Sequence, residues 1–288
     1  MPTASGHAEV WGSPIEHSLS PVLHRAAYAA LGMDWSYGRQ EVTTETFTSY
    51  WERHSRDLTG LSATMPLKES LAELPLERNH VVDVLGVANT LYRDGGQWRC
   101  ANTDPWGVVG ALSEAGVETA DAVILGAGAT ARAVSYGLQL AGVRNIEFVV
   151  RNPARGTETA RIAQSLGLNT RVHNSFEEVN GRVGLVVSTL PGGSASDLVP
   201  TDSVIDSSRL FDVGYSPWPT PIASQWLSRG QGVISGLSML IHQAVRQIRF
   251  FAQGSDEEPL PDEAQAVRAM REAVALEPGS STVTAMGE

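Results

Sequence analysis

One stretch of the chain constrains its fold more than any other: residues 121–152, which read DAVILGAGATARAVSYGLQLAGVRNIEFVVRN. An apolar run leads into a glycine-rich turn, a helical pattern follows, and a second apolar run ends near Val150. Such a strand–helix–strand unit places two parallel strands side by side through a right-handed crossover. Because further strand and helix patterns alternate after it, the sequence predicts a parallel sheet covered by helices on both faces.

The turn itself fits the pattern Gly-x-Gly-x-x-Ala of dinucleotide-binding folds at Gly126, Gly128 and Ala131. The first glycine permits the tight turn, the second lets backbone N–H groups approach a pyrophosphate, and the alanine allows close packing of helix and strand. The helix N-terminus then faces the phosphate charge. We therefore expect a dinucleotide site, with a doubly wound fold that binds no nucleotide as the alternative. The expected contacts in the turn are Gly126, Ala127, Gly128, Ala129, Thr130 and Ala131.

The end of the second strand of this unit indicates which dinucleotide is bound. An NAD site places an acidic residue there to bind the ribose hydroxyls, whereas this chain has Arg151, Asn152 and Arg155. Glu147 comes too early and is expected to lie within the strand. Arginine suits bidentate recognition of a 2′-phosphate, so we predict NADP as the cofactor, with two ordinary surface arginines as the alternative.

Length and composition narrow the class of protein. The chain has 288 residues, which suggests two domains, and a formal net charge of −11, which disfavours nucleic acid and anionic membranes as partners. Its single cysteine, Cys100, cannot form an intramolecular disulfide and is expected to be a buried strand residue rather than a nucleophile. Without a run long enough to span a bilayer or a recognisable signal peptide, the expectation is a cytoplasmic protein. We find no Cys/His spacing typical of metal ligands.

Several other elements follow from local patterns. We expect helices over 20–32, begun by Ser20 and Pro21, and over 236–254 and 262–276. A hairpin is predicted to turn at Asp94-Gly95-Gly96 within 81–104. The segments LTGLSATMP, which leads to Lys68, and SVIDSS are predicted to be strands. Residues 1–6 are expected to form a flexible lead, and residues after 278 to be disordered.

Small polar side chains are concentrated in five segments at the ends of apolar elements: 12–28, 62–68, 86–91, 101–107 and 238–244. Within them, Ser18 and Ser20 offer two hydroxyls, and Asn89 and Asp104 lie at the ends of the predicted hairpin. Five such segments indicate a pocket for a small, hydroxyl-rich molecule whose orientation is fixed by hydrogen bonds.

With these motifs in order, the chain resembles the shikimate dehydrogenase family. The resemblance rests on Ser18-Leu19-Ser20-Pro21, Thr64-Met65-Pro66-Leu67-Lys68, Ala88-Asn89-Thr90, Asn102-Thr103-Asp104, the 126–131 turn and Gln243. It implies NADP-linked interconversion of 3-dehydroshikimate and shikimate in aromatic amino-acid biosynthesis. It also implies an α/β fold with an N-terminal α/β substrate domain, a Rossmann-like NADP-binding domain and a cleft between them. The expected boundaries are 1–103 with 238–288 for the substrate domain, and 104–237 for the NADP-binding domain.

The resemblance implies Lys68 and Asp104 as the proton-transfer pair. Lys68 would give a proton to the ketone oxygen or stabilise the alkoxide, and Asp104 would hold the ammonium group and bind a substrate hydroxyl. The alternatives are a surface lysine and an aspartate that caps the helix starting at PWGVVGAL. His17 and His24 flank the serine motif, but the reaction requires no histidine, and His24 is expected to pack on its helix.

The resemblance also implies the remaining contacts. Ser18, Ser20 and Thr64 are expected to face the substrate carboxylate and hydroxyls, and Asn89 and Gln243 the ring hydroxyls. Tyr215 matches a tyrosine near the substrate, with a structural role as the alternative. On the cofactor side we expect Thr189, Gly236 and Met239, the last with helix core as its alternative.

The chain departs from the family pattern at a few positions. Ser62 stands where the family commonly has asparagine, so one substrate hydroxyl is expected to be bound through water. Ala129 and Thr130 alter the nucleotide turn, and Val150-Arg151-Asn152 and Ser188-Thr189-Leu190-Pro191 alter two further cofactor elements. These changes bear on cofactor preference and on the substrate. The alternative functions are therefore a paralogue acting on quinate or an amino analogue, and a non-catalytic NADP-binding regulator. A monomer or homodimer is expected.

Overall fold

The computed structural model describes residues 5–191 and 197–275, and these divide into two compact units. One unit contains the described residues up to Thr103 and those from Leu240 onward, and the other runs from Asp104 to Met239. The first predicted boundary, 103/104, coincides with the break, and the second break falls two residues after the predicted 237/238.

The first unit is built on a six-stranded mixed sheet. Its elements before the boundary are β1 (Gly6–Gly12), α1 (Ser20–Ala30), β2 (Trp35–Glu41), α2 (Thr44–His54), β3 (Gly60–Ala63), α3 (Lys68–Glu73), β4 (Glu77–Arg78), α4 (His80–Leu85), β5 (Thr90–Asp94) and β6 (Gln97–Ala101). The strand order is β2-β1-β3-β5-β6-β4. Strand β1 is parallel to both its neighbours, whereas β5 is antiparallel to β3 and β6.

The hairpin between β5 and β6 turns where the sequence predicts it. Gly95 and Gly96 have φ angles of +56° and +82°. Two consecutive positive φ values match the right-handed twist of the flanking strands, and only residues such as glycine adopt them without strain.

Two late helices complete the first unit: α10 (Gly236–Gln253), which contributes its residues from Leu240, and α11 (Glu263–Ala275), which packs on α1. Helix α10 covers the sheet face to which Gly60 and Ser62 belong. A Cβ atom at Gly60 would lie 2.3 Å from the ring of Phe251, so only glycine lets the helix approach this closely. On the opposite face Trp11 is fully buried, with Phe47 and Tyr50 of α2 at its ring edges.

The second unit is a doubly wound parallel sheet. Its elements are α5 (Asp104–Glu114), β7 (Asp121–Leu125), α6 (Ala129–Leu140), β8 (Asn145–Val149), α7 (Pro153–Ser165), β9 (Asn169–His173), β10 (Leu185–Ser188), α8 (Asp202–Ser207), β11 (Arg209–Asp212), α9 (Pro221–Ser228) and β12 (Val233–Ser235). All six strands are parallel, in the order β12-β11-β10-β7-β8-β9. This is the strand order of dinucleotide-binding folds. The strands follow one another outward to one side from β7 and to the other side from β10, so the order reverses between these two strands.

Both faces of this second sheet are buried, as the sequence predicts. Ile124 and Val187 point into one apolar core, and their strand neighbours Leu125 and Val186 belong to a second core on the other side. Continuous apolar strands are typical of a sheet covered on both faces.

The prediction of a strand at SVIDSS is wrong, because these residues form α8. Val204 and Ile205 are consecutive buried residues between exposed Asp202, Ser203 and Asp206, a helical rather than an alternating pattern. Ser207 Oγ and Ser208 Oγ each donate to the carbonyl four residues earlier and close the short helix.

Two further differences lie beside the predicted lysine motif and the hairpin. Strand β3 ends at Ala63, and Lys68 begins α3 rather than ending a strand. Residues 81–85, predicted as the first part of the hairpin, belong to α4, which Asn79 caps by accepting the Val82 N–H. Gly6 already belongs to β1, whereas residues 1–4 and those after 278 lie outside the described residues. Among the described helices, none combines the length and the apolar character needed to cross a bilayer.

Candidate active site

Most of the predicted substrate residues gather at one edge of the first sheet. Strands β1 and β3 are parallel, so both carboxyl ends lie at this edge. The antiparallel register pairs Ser62 with Thr90 and Thr90 with Ala101, which brings the start of β5 and the end of β6 to the same edge. Four parts of the chain are therefore neighbours: the segments that follow β1, β3 and β6, and the residue before β5.

The serine pair lies at the start of α1. Ser18 is half-buried, and its Oγ accepts the backbone N–H of Ser20 at 3.4 Å. Ser20 is buried and is the first helical residue; the N-cap is Leu19, one position before Ser20, which the sequence predicts as the start of the helix. Pro21 occupies the first turn, where its missing N–H costs nothing.

The loop between β3 and α3 carries Thr64 and Lys68. The Thr64 N–H donates to the Trp11 carbonyl at 2.9 Å, and the Ser13 N–H donates to the Met65 carbonyl at 2.9 Å. A Cβ at Gly12 would lie 2.4 Å from Thr64 Cγ2, so glycine is required for this approach. The Lys68 carbonyl accepts the Ala88 N–H at 2.8 Å, which fixes the lysine backbone beside Asn89. Both Thr64 and Lys68 are half-buried.

Asn89 and Gln243 form one buried cluster with Thr103, a residue not predicted to take part. Asn89 Oδ1 accepts the Thr103 backbone N–H at 2.9 Å, and Asn89 Nδ2 donates to Gln243 Oε1 at 3.3 Å. Because a backbone N–H can only donate, the first bond fixes which end of the Asn89 carboxamide is the acceptor. Thr103 Oγ1 also donates to Gln243 Oε1, at 3.3 Å. The next residue, Asp104, is 4% exposed and is the first residue of α5. An acidic side chain at this position interacts favourably with the helix dipole.

In the second unit, the glycine turn adopts the conformation that its motif predicts. Gly126 has φ +109°, and a Cβ there would lie 2.5 Å from Thr189 Oγ1, so both torsion and space require glycine. Gly128 is exposed and is the N-cap residue of α6, where a glycine has no side chain to bond the first N–H groups of the helix. Ala131 is fully buried where α6 packs on the sheet. This helix N-terminus at the strand-order reversal fits a pyrophosphate.

The residues after β8 are exposed beside this turn. Arg151 and Arg155 are exposed, and Glu147 lies inside β8 as predicted. Asn152 caps α7, because its Oδ1 accepts the N–H groups of Ala154 and Arg155 at 3.0 and 3.4 Å. Two exposed guanidinium groups without an acidic residue at the strand end fit a 2′-phosphate rather than a ribose diol.

The other predicted cofactor residues have structural contacts of their own. Thr189 Oγ1 donates to the Leu125 carbonyl at 2.9 Å. A Cβ at Gly236 would lie 2.0 Å from the Val213 carbonyl oxygen, so glycine is required there. Met239 is 7% exposed and packs in an apolar core of the second unit, which agrees with the helix-core alternative.

Tyr215 is half-buried in the loop after β11, and a buried carboxylate that sequence reasoning missed holds this loop. Asp212 Oδ1 accepts the Gly214 N–H at 3.1 Å, and its Oδ2 accepts the Thr220 hydroxyl. Burial raises the pKa of Asp212, and the hydrogen bonds from Thr220 and Gly214 oppose that shift. The sequence feature that could have identified Asp212 is its position at the end of a strand, two residues before Gly214.

The histidines and the cysteine lie outside these clusters. His17 is exposed, whereas His24 is fully buried and stacks on Tyr37 at 3.9 Å. Burial lowers the pKa of His24 to about 3. Burial likewise raises the pKa of Cys100 to about 12, which agrees with a packed strand residue and not with a nucleophile. Within residues 5–191 and 197–275, no group of His, Cys, Asp and Glu side chains is arranged to hold a metal ion.

Comparison with known proteins agrees with this geometry. Residues 10–91 match the family model of the shikimate dehydrogenase substrate binding domain. A protein of Rhizobium meliloti (strain 1021) named shikimate dehydrogenase (NADP(+)) is 34% identical over 84% of this chain and 88% of its own length. The crystal structure of Mycobacterium tuberculosis shikimate dehydrogenase superposes with a TM-score of 0.80 at 37% identity, over 93% of this chain and 99% of that one. The shikimate 5-dehydrogenase of Thermus thermophilus, solved in complex with NADP(H) and shikimate, gives a TM-score of 0.76 at 29% identity, with coverages of 93% and 99%.

Proposed function

Because this chain belongs to the shikimate dehydrogenase family, we propose that it catalyses the reversible, NADP-dependent reduction of 3-dehydroshikimate to shikimate in aromatic amino-acid biosynthesis. The observation that carries the proposal lies at the edge of the first sheet. There the chain gathers the backbone of a lysine, two carboxamides of fixed orientation and three hydroxyl side chains. Such a set of polar groups suits a small acid with several ring hydroxyls.

The proton-transfer step is assigned to Lys68 and Asp104. In the reducing direction the cofactor, when bound, would supply the hydride for the carbonyl carbon, and the Lys68 ammonium group gives a proton to the carbonyl oxygen. Asp104 is assigned to hold this ammonium group and to accept a hydrogen bond from a neighbouring substrate hydroxyl. The assignment is supported by the Thr-Met-Pro-Leu-Lys and Asn-Thr-Asp motifs and by the backbone contacts that join Lys68 to Ala88 and Asn89 to Thr103.

The other side chains of the site bind and orient the substrate. The hydroxyls of Ser18, Ser20 and Thr64 donate to its carboxylate, and Asn89 and Gln243 bind its ring hydroxyls. Tyr215, in the loop that Asp212 holds, adds a contact to the substrate. Hydroxyl and amide groups discriminate strongly among polyhydroxy acids, because a buried group without its partner is costly.

NADP is assigned to the second unit. The turn 126–131 holds the pyrophosphate, and Arg151 and Arg155 hold the 2′-phosphate, with Asn152 fixing the start of the helix between them. Thr189, Gly236 and Met239 are assigned to the rest of the cofactor site: the Thr189 hydroxyl lies against Gly126, and Gly236 allows a close approach to the Val213 carbonyl. We extend the proposal to a cytoplasmic enzyme, monomeric or homodimeric.

The test is a direct assay of the purified protein. NADPH formation is followed by absorbance with shikimate and NADP, and in parallel with NAD and with quinate. The highest kcat/KM is expected for the pair shikimate and NADP. A protein that binds NADP but forms no NADPH from shikimate refutes the proposal, and a higher kcat/KM for quinate with NAD favours the quinate paralogue.

A further inference from the structure

Gln247 is a buried glutamine of α10 that the reaction does not require. It is 2% exposed and lies one helical turn beyond Gln243. Its Oε1 accepts the Ser62 hydroxyl at 2.8 Å, and its Nε2 donates to the Asn89 carbonyl and to Thr90 Oγ1, each at 3.1 Å. Both N–H bonds and the oxygen of the carboxamide are therefore engaged, which fixes its orientation.

The hydrogen bonds continue on both sides of Gln247. Tyr37 donates its hydroxyl to Ser62 Oγ at 2.7 Å, and Thr90 donates its hydroxyl to Asn89 Oδ1 at 2.7 Å. Each hydroxyl has a single hydrogen, so the order of donors and acceptors is set from Tyr37 through Ser62, Gln247 and Thr90 to Asn89. We call these five residues the Tyr37–Asn89 relay.

The relay is buried throughout. Tyr37, Ser62 and Thr90 are 1%, 3% and 0% exposed. Buried polar groups are costly unless they are hydrogen-bonded, and an apolar side chain at position 247 would leave the Ser62 hydroxyl and the Asn89 carbonyl without these bonds. A fully satisfied buried network instead selects one arrangement of its members. Here the member at the end of the network is Asn89, whose Oδ1 is held between the Thr90 hydroxyl and the Thr103 N–H.

The relay also changes the expected role of Ser62. Its one hydroxyl hydrogen is used by Gln247, and it accepts from Tyr37. Binding a substrate hydroxyl through water, as expected from the missing family asparagine, can therefore use only the remaining lone pair of Ser62 Oγ, as an acceptor. Ser62 is thus a member of the relay, on the sheet face that α10 covers.

We propose that Gln247 and Thr90 are positioning residues for substrate recognition: they hold the Asn89 carboxamide in the orientation that binds a ring hydroxyl of the substrate. The inference rests on the proposed function and adds two residues that act through Asn89. It accounts for a buried polar path in a sheet that could have been packed with apolar side chains.

The experiment compares variants that remove a hydrogen bond at nearly constant side-chain shape with a variant that restores it. Thr90→Val keeps the shape of the side chain and removes the hydroxyl that links Gln247 to Asn89, and Thr90→Ser restores it. Gln247→Met removes the same link from the other side and carries the test where Thr90→Val does not fold. Tyr28→Phe is the control, because it removes the hydroxyl of a 1% exposed tyrosine of α1 that contacts His24 Nδ1, and it keeps the ring whose centroid lies 6.4 Å from that of Tyr37 in the relay.

The measured quantities are KM and kcat for shikimate, KM for NADP, and the melting temperature. Loss of one orienting hydrogen bond should raise KM for shikimate about tenfold, equivalent to about 1.4 kcal/mol, and change KM for NADP less than about twofold. Thr90→Ser should return KM toward the wild-type value, and Tyr28→Phe should leave it unchanged.

The outcomes separate this inference from the proposed function. A wild-type protein that does not oxidise shikimate overturns both. An active wild type whose Thr90→Val and Gln247→Met variants keep its KM for shikimate overturns only the positioning role. Equal increases in the KM values for shikimate and NADP, or no rescue by Thr90→Ser, indicate general destabilisation and also overturn it.

Discussion

Burial of His24 makes the folding stability of this protein sensitive to mild acid. The imidazole is fully buried on α1, stacked on Tyr37, and its pKa falls from 6.5 to about 3 because burial disfavours the charged form. Below the pKa of the unfolded chain, the unfolded state binds a proton that the folded state excludes. The contribution of His24 to stability is therefore fully present at neutral pH and is lost as the pH falls from 6.5 toward 3.

The size of the loss follows from the shift. Each pH unit between the two pKa values costs about 1.4 kcal/mol, so lowering the pH from 7 to 5 should cost about 2 kcal/mol at this residue. The variant His24→Phe keeps an aromatic ring against Tyr37 and cannot titrate. The difference in unfolding free energy between wild type and this variant should therefore shrink by about 2 kcal/mol between pH 7 and pH 5.

The assay is urea unfolding at both pH values, followed by circular dichroism and tryptophan fluorescence. His17→Gln is the control, because His17 is exposed in the folded protein. If the difference between wild type and His24→Phe is the same at pH 7 and pH 5, His24 binds its proton equally in both states and the reasoning fails.

Three further predictions concern the assigned sites. Lys68→Met keeps the length of the side chain and removes the ammonium group, so kcat for shikimate should fall about 10²–10⁴-fold at an unchanged melting temperature. Turnover at the wild-type rate would contradict the assignment. Arg151→Gln should raise KM for NADP about tenfold or more and leave KM for NAD unchanged, since a charge-assisted hydrogen bond to phosphate is lost. Equal effects on both cofactors would argue against a 2′-phosphate contact. Because burial raises the pKa of Asp212, the unfolded carboxyl ionises first, near pH about 3.9. The unfolding free energy of the wild type should then decrease relative to that of Asp212→Asn as the pH rises from that value. Urea unfolding of both proteins at a series of pH values measures this difference, and a difference that does not change with pH would contradict the shift.

Long elements with a clear period were predictable from the sequence, and short ones were not. The unit from β7 to β8 has an apolar strand, a glycine turn and a helix in one continuous segment, so local pattern is sufficient. The six-residue helices α3, α4 and α8 contain too few turns for a period to be seen. Taken alone, an apolar pair such as Val204-Ile205 also fits a strand. Only the folded chain shows that the residues on either side are exposed, which is the pattern of a helix.

The same distinction holds for the candidate site. Ser18, Ser20, Thr64 and Asn89 stand at strand and helix ends, where polar residues after apolar runs predict a site at one sheet edge. The hydrogen bond between Ser62 and Gln247, in contrast, joins residues 185 positions apart. No local spacing predicts such a pair, because it depends on where α10 crosses the sheet. Asp212 was missed for a similar reason, since its partners become apparent only when the loop after β11 folds back.

Helix α10 has a consequence for how this protein is made. The sheet of the first unit is synthesised early, yet Gly60 and Ser62 are covered by Phe251 and Gln247, which are translated after the whole second unit. At roughly 5–20 residues per second, the nascent sheet waits on the order of ten seconds with that face bare. During this interval a ribosome-bound chaperone would find an uncovered sheet face on the older part of the chain, while the younger, contiguous part can already fold.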